Sequence, residues 1–305
     1  MTAQKLAAYW ELGKPRLNAL AVFAVVAGAC MVCPRGAYPS LRLLALVTVG
    51  TFLAAAGAAA LNMYIERDRD PLMKRTQGRP LPTGRLSPRE VLAFGVAMVV
   101  LGSCLVLFGS APLGPEDHPL AALNWPAFGT CVAIVATYVV WYTPMKARTP
   151  LNTLVGAIPG ALPPVVGHVA VLGFFAMPQL VLFAIVFCWQ IPHFLAIAWR
   201  YREDYARAGM RMLPVIDPTG VRTGVTMLLY VAGLGIASTI PFVVRMAGDR
   251  YLVIALLLDV LFVVPTAIAA LTRKERAMRL TFLASIVYLP LLFLAMVWDR
   301  NPMPH

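Results

Sequence analysis

Apolar positions run along this chain in nine long blocks, at about 17–34, 43–65, 91–112, 125–142, 151–172, 174–198, 225–244, 251–271 and 280–298, with polar residues gathered between them. Each block is near the roughly 20 residues that carry a helix across hydrocarbon, where a chain must satisfy its own backbone hydrogen bonds. The pattern predicts an all-α, polytopic membrane protein with about nine transmembrane helices around a central cavity. No Gly/Ser linker, low-complexity block or large soluble insertion divides it, so residues 1–305 read as a single domain. Helix-start signals lie in the polar connections. Ser87-Pro88-Arg89-Glu90 spells a capping box with proline at the first helical position. Thr149-Pro150 and Asp217-Pro218 carry similar signals, the latter for a short helix ahead of the seventh block.

Composition agrees: 60% of residues are hydrophobic, 13% are charged, and mean hydropathy is +0.74, against about a quarter charged in a soluble domain. The 26 basic residues are sorted by side, with 21 in the N-terminal tail and every second connection after it. The positive-inside rule then puts the N-terminus, the 66–90 loop and the 199–224 loop in the cytoplasm. A bacterial inner membrane is the expected location, since no cleavable signal or transit peptide precedes the first block. The net charge of +12 is thus a topology signal spread along one membrane face, which argues against a nucleic-acid partner. Cys30, Cys33, Cys104, Cys131 and Cys188 all fall in apolar segments and read as small core residues.

Candidate chemistry sits where two blocks end. Asn62, Glu66 and Asp70 recur every four residues and would spread by only roughly 80° around a helix, a row of oxygen ligands at the end of an apolar span. Such groups suit magnesium, which takes hard oxygen ligands and bridges carboxylates to phosphates. Asp68 points about 200° away from Glu66 on the same helix. Pro71 biases Asp70 away from helical geometry, so the span should loosen there. The sixth block ends in Trp199-Arg200-Tyr201-Arg202-Glu203-Asp204-Tyr205, a weak echo of the second, and His193, Ile197, Tyr201 and Asp204 would share a face leading to it. The alternatives are plain ones. The first acids could simply pair with Arg67, Arg69 and Lys74, and Glu203 and Asp204 with Arg200 and Arg207. His193 and His168 could be hydrogen-bonded core residues, and Lys146 and Arg148 topology determinants.

No GxxxxGK[ST] loop, GxSxG elbow, HExxH or paired CxxC occurs, which removes support for hydrolase, nucleotide-driven pump and zinc-enzyme readings. The string Asn62, Glu66, Asp70, Met73, Arg75, Thr76, Arg79, Pro80, Leu81 resembles the first signature of the intramembrane prenyltransferase superfamily, in its heme-modifying branch. Tyr142-Thr143-Pro144 with Lys146 and Arg148, Gly160 through Gly167, and Trp189 through His193 to Met212-Leu213-Pro214-Val215 resemble the same branch, in order. Two departures stand out. Arg200 and Ala208 occupy the positions four either side of Asp204, where the wider superfamily carries an Asp-x-x-x-Asp motif, and Glu203 stands where the branch more often has aspartate. The first weighs against a quinone-precursor enzyme.

The resemblance implies transfer of a farnesyl group from farnesyl diphosphate to a vinyl group of heme b. It assigns Asn62, Glu66, Asp70 and Asp204 to Mg2+, with Glu203 auxiliary, and Arg75, Arg79, Lys146 and Arg148 to the diphosphate. Tyr64, Tyr142 and Phe194 are candidate aromatic walls, and His193 is the candidate heme contact. The partners implied are the two substrates, the lipid bilayer and a downstream heme A synthase. A prenyltransferase for an aromatic quinone precursor and an ion or solute transporter are the competing readings. Transport would need a polar path to both faces, whereas the connection near 113–124 offers only Glu116 and Asp117.

Overall fold

A computed structural model of the protein describes residues 3–109 and 123–301. Among them, eight helices are long and apolar enough to cross a membrane, and the shorter apolar helix Pro15–Cys30 is a ninth candidate, in keeping with the sequence pattern. The connection carrying Glu116 and Asp117 lies outside the described residues.

Helix α1 (Ala3–Leu12) precedes α2 (Pro15–Cys30), followed by α3 (Leu41–Ile65) and α4 (Pro88–Phe108). Helix α5 (Trp125–Ala136) runs through a π-helical stretch at Thr137–Tyr142 into the single turn α6 (Thr143–Met145). Helices α7 (Asn152–Ala161) and α8 (Pro163–Leu172) are halves of one crossing. Then come α9 (Met177–Arg200), the short α10 (Arg202–Arg207) and α11 (Leu213–Ile216), and the spans α12 (Val221–Val243), α13 (Asp249–Thr272) and α14 (Glu275–Trp298).

Helices in lipid gain little from burying apolar side chains against one another, so close backbone approach at small residues does much of the packing. A Cβ on Gly28 of α2 would lie 2.0 Å from the Pro164 carbonyl oxygen, and one on Gly167 of α8 would lie 1.8 Å from that of Val25. Gly102 of α4 meets the Gly50 carbonyl and Ala54 of α3 in the same way. Consecutive prolines at 163 and 164 remove two N–H donors between α7 and α8, and Pro163 opens the new helix. Gln190 of α9 closes on this break, its Nε2 donating to the Ala157 carbonyl at 2.7 Å. The segment Gly160–Gly167 is thus a bend flanked by two contacts that exclude side chains.

The capping box forms as the sequence predicts, with Ser87 N donating to Glu90 Oε2 at 2.8 Å and Glu90 N to Ser87 Oγ at 3.3 Å. Asp217 differs from its expected role. The short helix α11 ends before it, and its Oδ2 accepts Thr223 N and Oγ1 at 2.8 and 2.9 Å, securing the start of the long helix α12. At the opposite end of the helices, Arg300 donates to the carbonyls of Cys33, Pro34 and Ala37, and Arg35 pairs with Asp299. Asp299 also accepts the backbone N–H of Tyr251, so one knot joins α2, α13 and α14.

Candidate active site

Helix α3 ends at Ile65, yet the spacing of its polar row survives the end. Glu66 N donates to the Asn62 carbonyl at 3.0 Å and Asp70 N to that of Glu66 at 2.9 Å, before a 3-10 turn at Asp70–Leu72 takes up Pro71. All three side chains are buried, and Asp70 has no exposed surface. Asp68 is exposed, as its angular position requires.

Each polar side chain of the row faces a partner from elsewhere in the chain. Asn62 Nδ2 donates to Thr143 Oγ1 at 3.0 Å, at the end of the π-helical stretch. Lys146 Nζ donates to Glu66 Oε1 at 2.8 Å and lies 4.6 Å from the centre of the Tyr142 ring. Arg79 Nη1 donates to both oxygens of Asp70, at 2.7 and 2.8 Å, and stands 4.0 Å from Glu66. These are not the local partners Arg67, Arg69 and Lys74.

The second acid-bearing terminus meets the first through Arg75. Its backbone N–H donates to Asp204 Oδ2 at 3.2 Å, while its guanidinium reaches Tyr205 Oη at 3.2 Å and lies over the rings of Tyr201 and Tyr205. Asp204 is buried and pairs with Arg207, the neighbour expected from helical spacing.

Electrostatics favour an anion here. Burial pushes the Glu66 carboxyl up, but Lys146, helped by Lys14 and Arg79, outweighs it and holds the group below its usual range. Burial lowers the Lys146 ammonium, and Glu66 more than restores it, to above its usual value. Asp70 stays above the usual carboxylate range because burial exceeds the help of Arg79. Lys14, between α1 and α2, is pushed down to about 7, first by burial and then by the nearby charges of Arg79 and Lys146. Burial is the larger cause, and the adjacent cations add to it, so an anion among them would be stabilised.

Four sequence expectations change. Glu203 is exposed and turned away from Asp204, because adjacent residues on a helix point about 100° apart. Arg148 is exposed, outside the cluster that Lys146 enters. Tyr64 packs with Ala8, Leu12 and Leu86 beside α1 instead of lining the cluster. The face running from His193 to Asp204 is broken at Tyr201, where α9 stops. His193 consequently faces α14: its ring stacks between Trp189 and Phe282, at 4.9 and 5.1 Å, and Nδ1 meets Ser285 Oγ at 2.7 Å. His168 is fully buried, with Nδ1 3.2 Å from the Gly28 carbonyl. Tyr201 and Tyr205, from the end of the sixth block, join the site through Arg75, and Lys14 joins it from outside both candidate clusters. The only sequence signal for Lys14 was its place in Gly13-Lys14-Pro15-Arg16, just before the first span.

Among the described residues, no three His, Cys, Asp or Glu side chains come together as a ready-made metal centre. The oxygen donors of Asn62, Glu66 and Asp70 still suit a hard divalent cation, provided Arg79 and Lys146 turn from the carboxylates to an incoming anion.

Residues 21–297 match the UbiA prenyltransferase family. A protoheme IX farnesyltransferase from Solibacter usitatus is 41% identical, over 96% of this chain and 98% of that protein. Among solved structures, a digeranylgeranylglyceryl phosphate synthase superposes with a TM-score of 0.73 at 18% identity, covering 97% of this chain and 98% of its own. A UbiA homolog from Archaeoglobus fulgidus bound to GPP and Mg2+ gives a TM-score of 0.60 at 17% identity, covering 95% and 99%.

Proposed function

Because this chain belongs to the UbiA prenyltransferase family, we propose that its acid-lined, cation-rich end holds farnesyl diphosphate and that it transfers the farnesyl group to a vinyl group of heme b, giving heme O and diphosphate. The observation that carries this reading is the meeting of two helix termini, with Glu66–Lys146 and Asp70–Arg79 on one side and Asp204, held by Arg75 and Arg207, on the other. The likeness to protoheme IX farnesyltransferases over nearly the whole chain supplies the substrates.

The carbon–oxygen bond at C1 of the farnesyl chain breaks, and diphosphate leaves with the electron pair. The vinyl π electrons attack the allylic cation, a carbon–carbon bond forms, and water captures the cation left beside the ring, losing a proton to leave a hydroxyethylfarnesyl group. Arg79 and Lys146 are placed to exchange their carboxylates for diphosphate oxygens, with Arg75 and Lys14 beside them, and so to stabilise charge as it develops. Asn62, Glu66, Asp70 and Asp204 would hold a divalent cation, here Mg2+, once their basic partners turn to the diphosphate, and that cation would supply further neutralisation of the leaving group. Tyr138 and Tyr142 pack with their rings tilted by 39° and centroids 5.4 Å apart, the latter next to Lys146, and their faces suit a carbocation that must be kept from bulk water. Ser285 occupies Nδ1 of His193 and Phe282 stacks on its ring, so His193 contributes to heme contact by backing the aromatic wall that Phe282 presents.

Residues 1–305 act in this reading as one domain, with active-site loops 66–90 and 199–224 in the cytoplasm of a bacterial cell and a heme A synthase consuming the product. The test is purified protein with farnesyl diphosphate, heme b and Mg2+, read by product mass. A porphyrin heavier by one farnesyl group and one hydroxyl group is expected, and unchanged heme b overturns the reading.

A further inference from the structure

A cleft of about 310 Å³ opens between the end of α9 and the start of α14, away from the acid row. That volume falls at the lower end of the range for small-molecule sites. Arg200, Arg276 and Arg279 line it, all exposed, while Ile197 and Phe282 give it an apolar floor. Glu275 also lines the cleft, but its carboxylate is 3.6 Å from Arg202, which shares its charge. Two features tie the cleft to the chemistry. Phe282 stacks on His193, so the floor is one ring away from the histidine. Tyr201 forms a wall shared with the diphosphate side, with the guanidinium of Arg75 5.3 Å and that of Arg200 5.7 Å from the same ring.

Three guanidinium groups over an aromatic, apolar floor match one kind of ligand: a flat, greasy body bearing carboxylates at one edge. We infer that this cleft docks the porphyrin acceptor, with Arg276 and Arg279 taking its propionates, Arg200 assisting, and Phe282 lying against the macrocycle. The inference rests on the heme-farnesylating reading and deepens it by giving the acceptor its own anionic anchor, separate from the diphosphate cations. Propionates fixed at a basic rim orient the remainder of the ring. An anionic lipid headgroup would satisfy the same guanidinium groups but would leave the histidine-backed floor without a role.

The test uses the full chain in nanodiscs of uncharged lipid, titrated with heme b and with its dimethyl ester and followed by the Soret band. Neutralising both arginines (Arg276→Gln with Arg279→Gln) should weaken heme b binding by at least about tenfold, the loss expected for charge-assisted hydrogen bonds. Wild-type protein should bind the ester about as weakly as the variant binds heme b. In turnover, KM for heme b should rise while KM for farnesyl diphosphate holds. Equal binding of acid and ester by the wild type overturns the inference, as does unaltered heme affinity in the variant. An arginine-dependent response to added anionic lipid with no effect of esterification also overturns it, in favour of a lipid site. Wild-type protein that makes no farnesylated product overturns the functional reading itself, so the two failures are distinguishable.

Discussion

Glu66 and Lys146 pose a question that only paired substitutions can answer, since each is buried and each is the other's main charge partner. Glu66→Gln strands an ammonium, which costs about 3–5 kcal/mol when a buried pair is broken from one side. A loss of activity alone would therefore not distinguish a ligand from a strut. The expected result is that Glu66→Gln lowers Tm and reduces magnesium-dependent diphosphate release by about 100-fold or more, the scale of losing one group that stabilises developing charge. Adding Lys146→Met should restore most of the Tm and none of the turnover. Asp204→Asn should likewise stop diphosphate release in protein that still folds, and wild-type turnover in folded Glu66→Gln and Asp204→Asn would refute the ligand assignment. Asp217 has a structural role with a pH signature. Burial pushes its carboxyl up, but the hydrogen bonds from Thr223 and Thr219 outweigh this and hold it below the ordinary range. Its stabilisation is thus complete above the unfolded value of about 3.9 and is lost as pH falls through the depressed folded one. Melting curves should show Asp217→Asn costing about 1 kcal/mol at neutral pH, and the difference shrinking in acid. At this scale, legibility depended on locality. Asn62, Glu66 and Asp70 could be read because backbone bonds carry their four-residue spacing past the helix end. Lys14 could not, because only tertiary folding brings the turn after α1 to Arg79 and Lys146.

Helix crossings, more than side-chain burial, hold the frame around these groups. Gly167→Ala puts a methyl group into the Val25 carbonyl, a backbone atom that cannot swing aside, so the α2–α8 crossing must open. Overpacking of this kind costs typically about 1–3 kcal/mol and sometimes more. The variant is expected to lose Tm and accumulate poorly, whereas Gly129→Ala, which meets nothing within 4 Å, should melt at or above the wild-type temperature. Thermal melts of the two side by side check this. The sequence placed the crossings themselves well, because twenty apolar residues announce a span whatever surrounds them. It placed their ends less well. An ideal helix carried from His193 to Asp204 puts both on one face, but α9 stops at Arg200 and the chain turns at Tyr201. Asp204 then goes to Arg75 and His193 stays with α14. Helical periodicity says nothing about where a helix stops. The block at 151–172 reads as one span, whereas the prolines at 163 and 164 divide it into α7 and α8, and their partner in α2 lies more than a hundred residues earlier.

Charge is distributed over the whole molecule in a way that serves two purposes at once. Lys14, Arg75, Arg79 and Lys146 gather at one end, where the acid row lies, and the same end carries most of the residues that the positive-inside rule counts. The opposite end is closed by the knot of Arg35, Asp299 and Arg300, in which the arginines are spent on carbonyls and a carboxylate instead of facing a cavity. An enzyme that takes an anionic lipid diphosphate from one side needs this polarity, while a conduit would need polar lining toward both faces. The sidedness is directly measurable. In a background with the five native cysteines replaced, Gln77→Cys and Ala37→Cys place single thiols at exposed positions, one in the loop after α3 and one between α2 and α3. A membrane-impermeant maleimide should label Gln77→Cys in inverted bacterial membrane vesicles and Ala37→Cys only in intact spheroplasts. The reverse pattern would put the acid row outside the cell, away from cytoplasmic farnesyl diphosphate, and would contradict the orientation. Labelling of both thiols from both sides in sealed preparations would mean mixed insertion, and a 21-to-5 sorting of basic residues should prevent that.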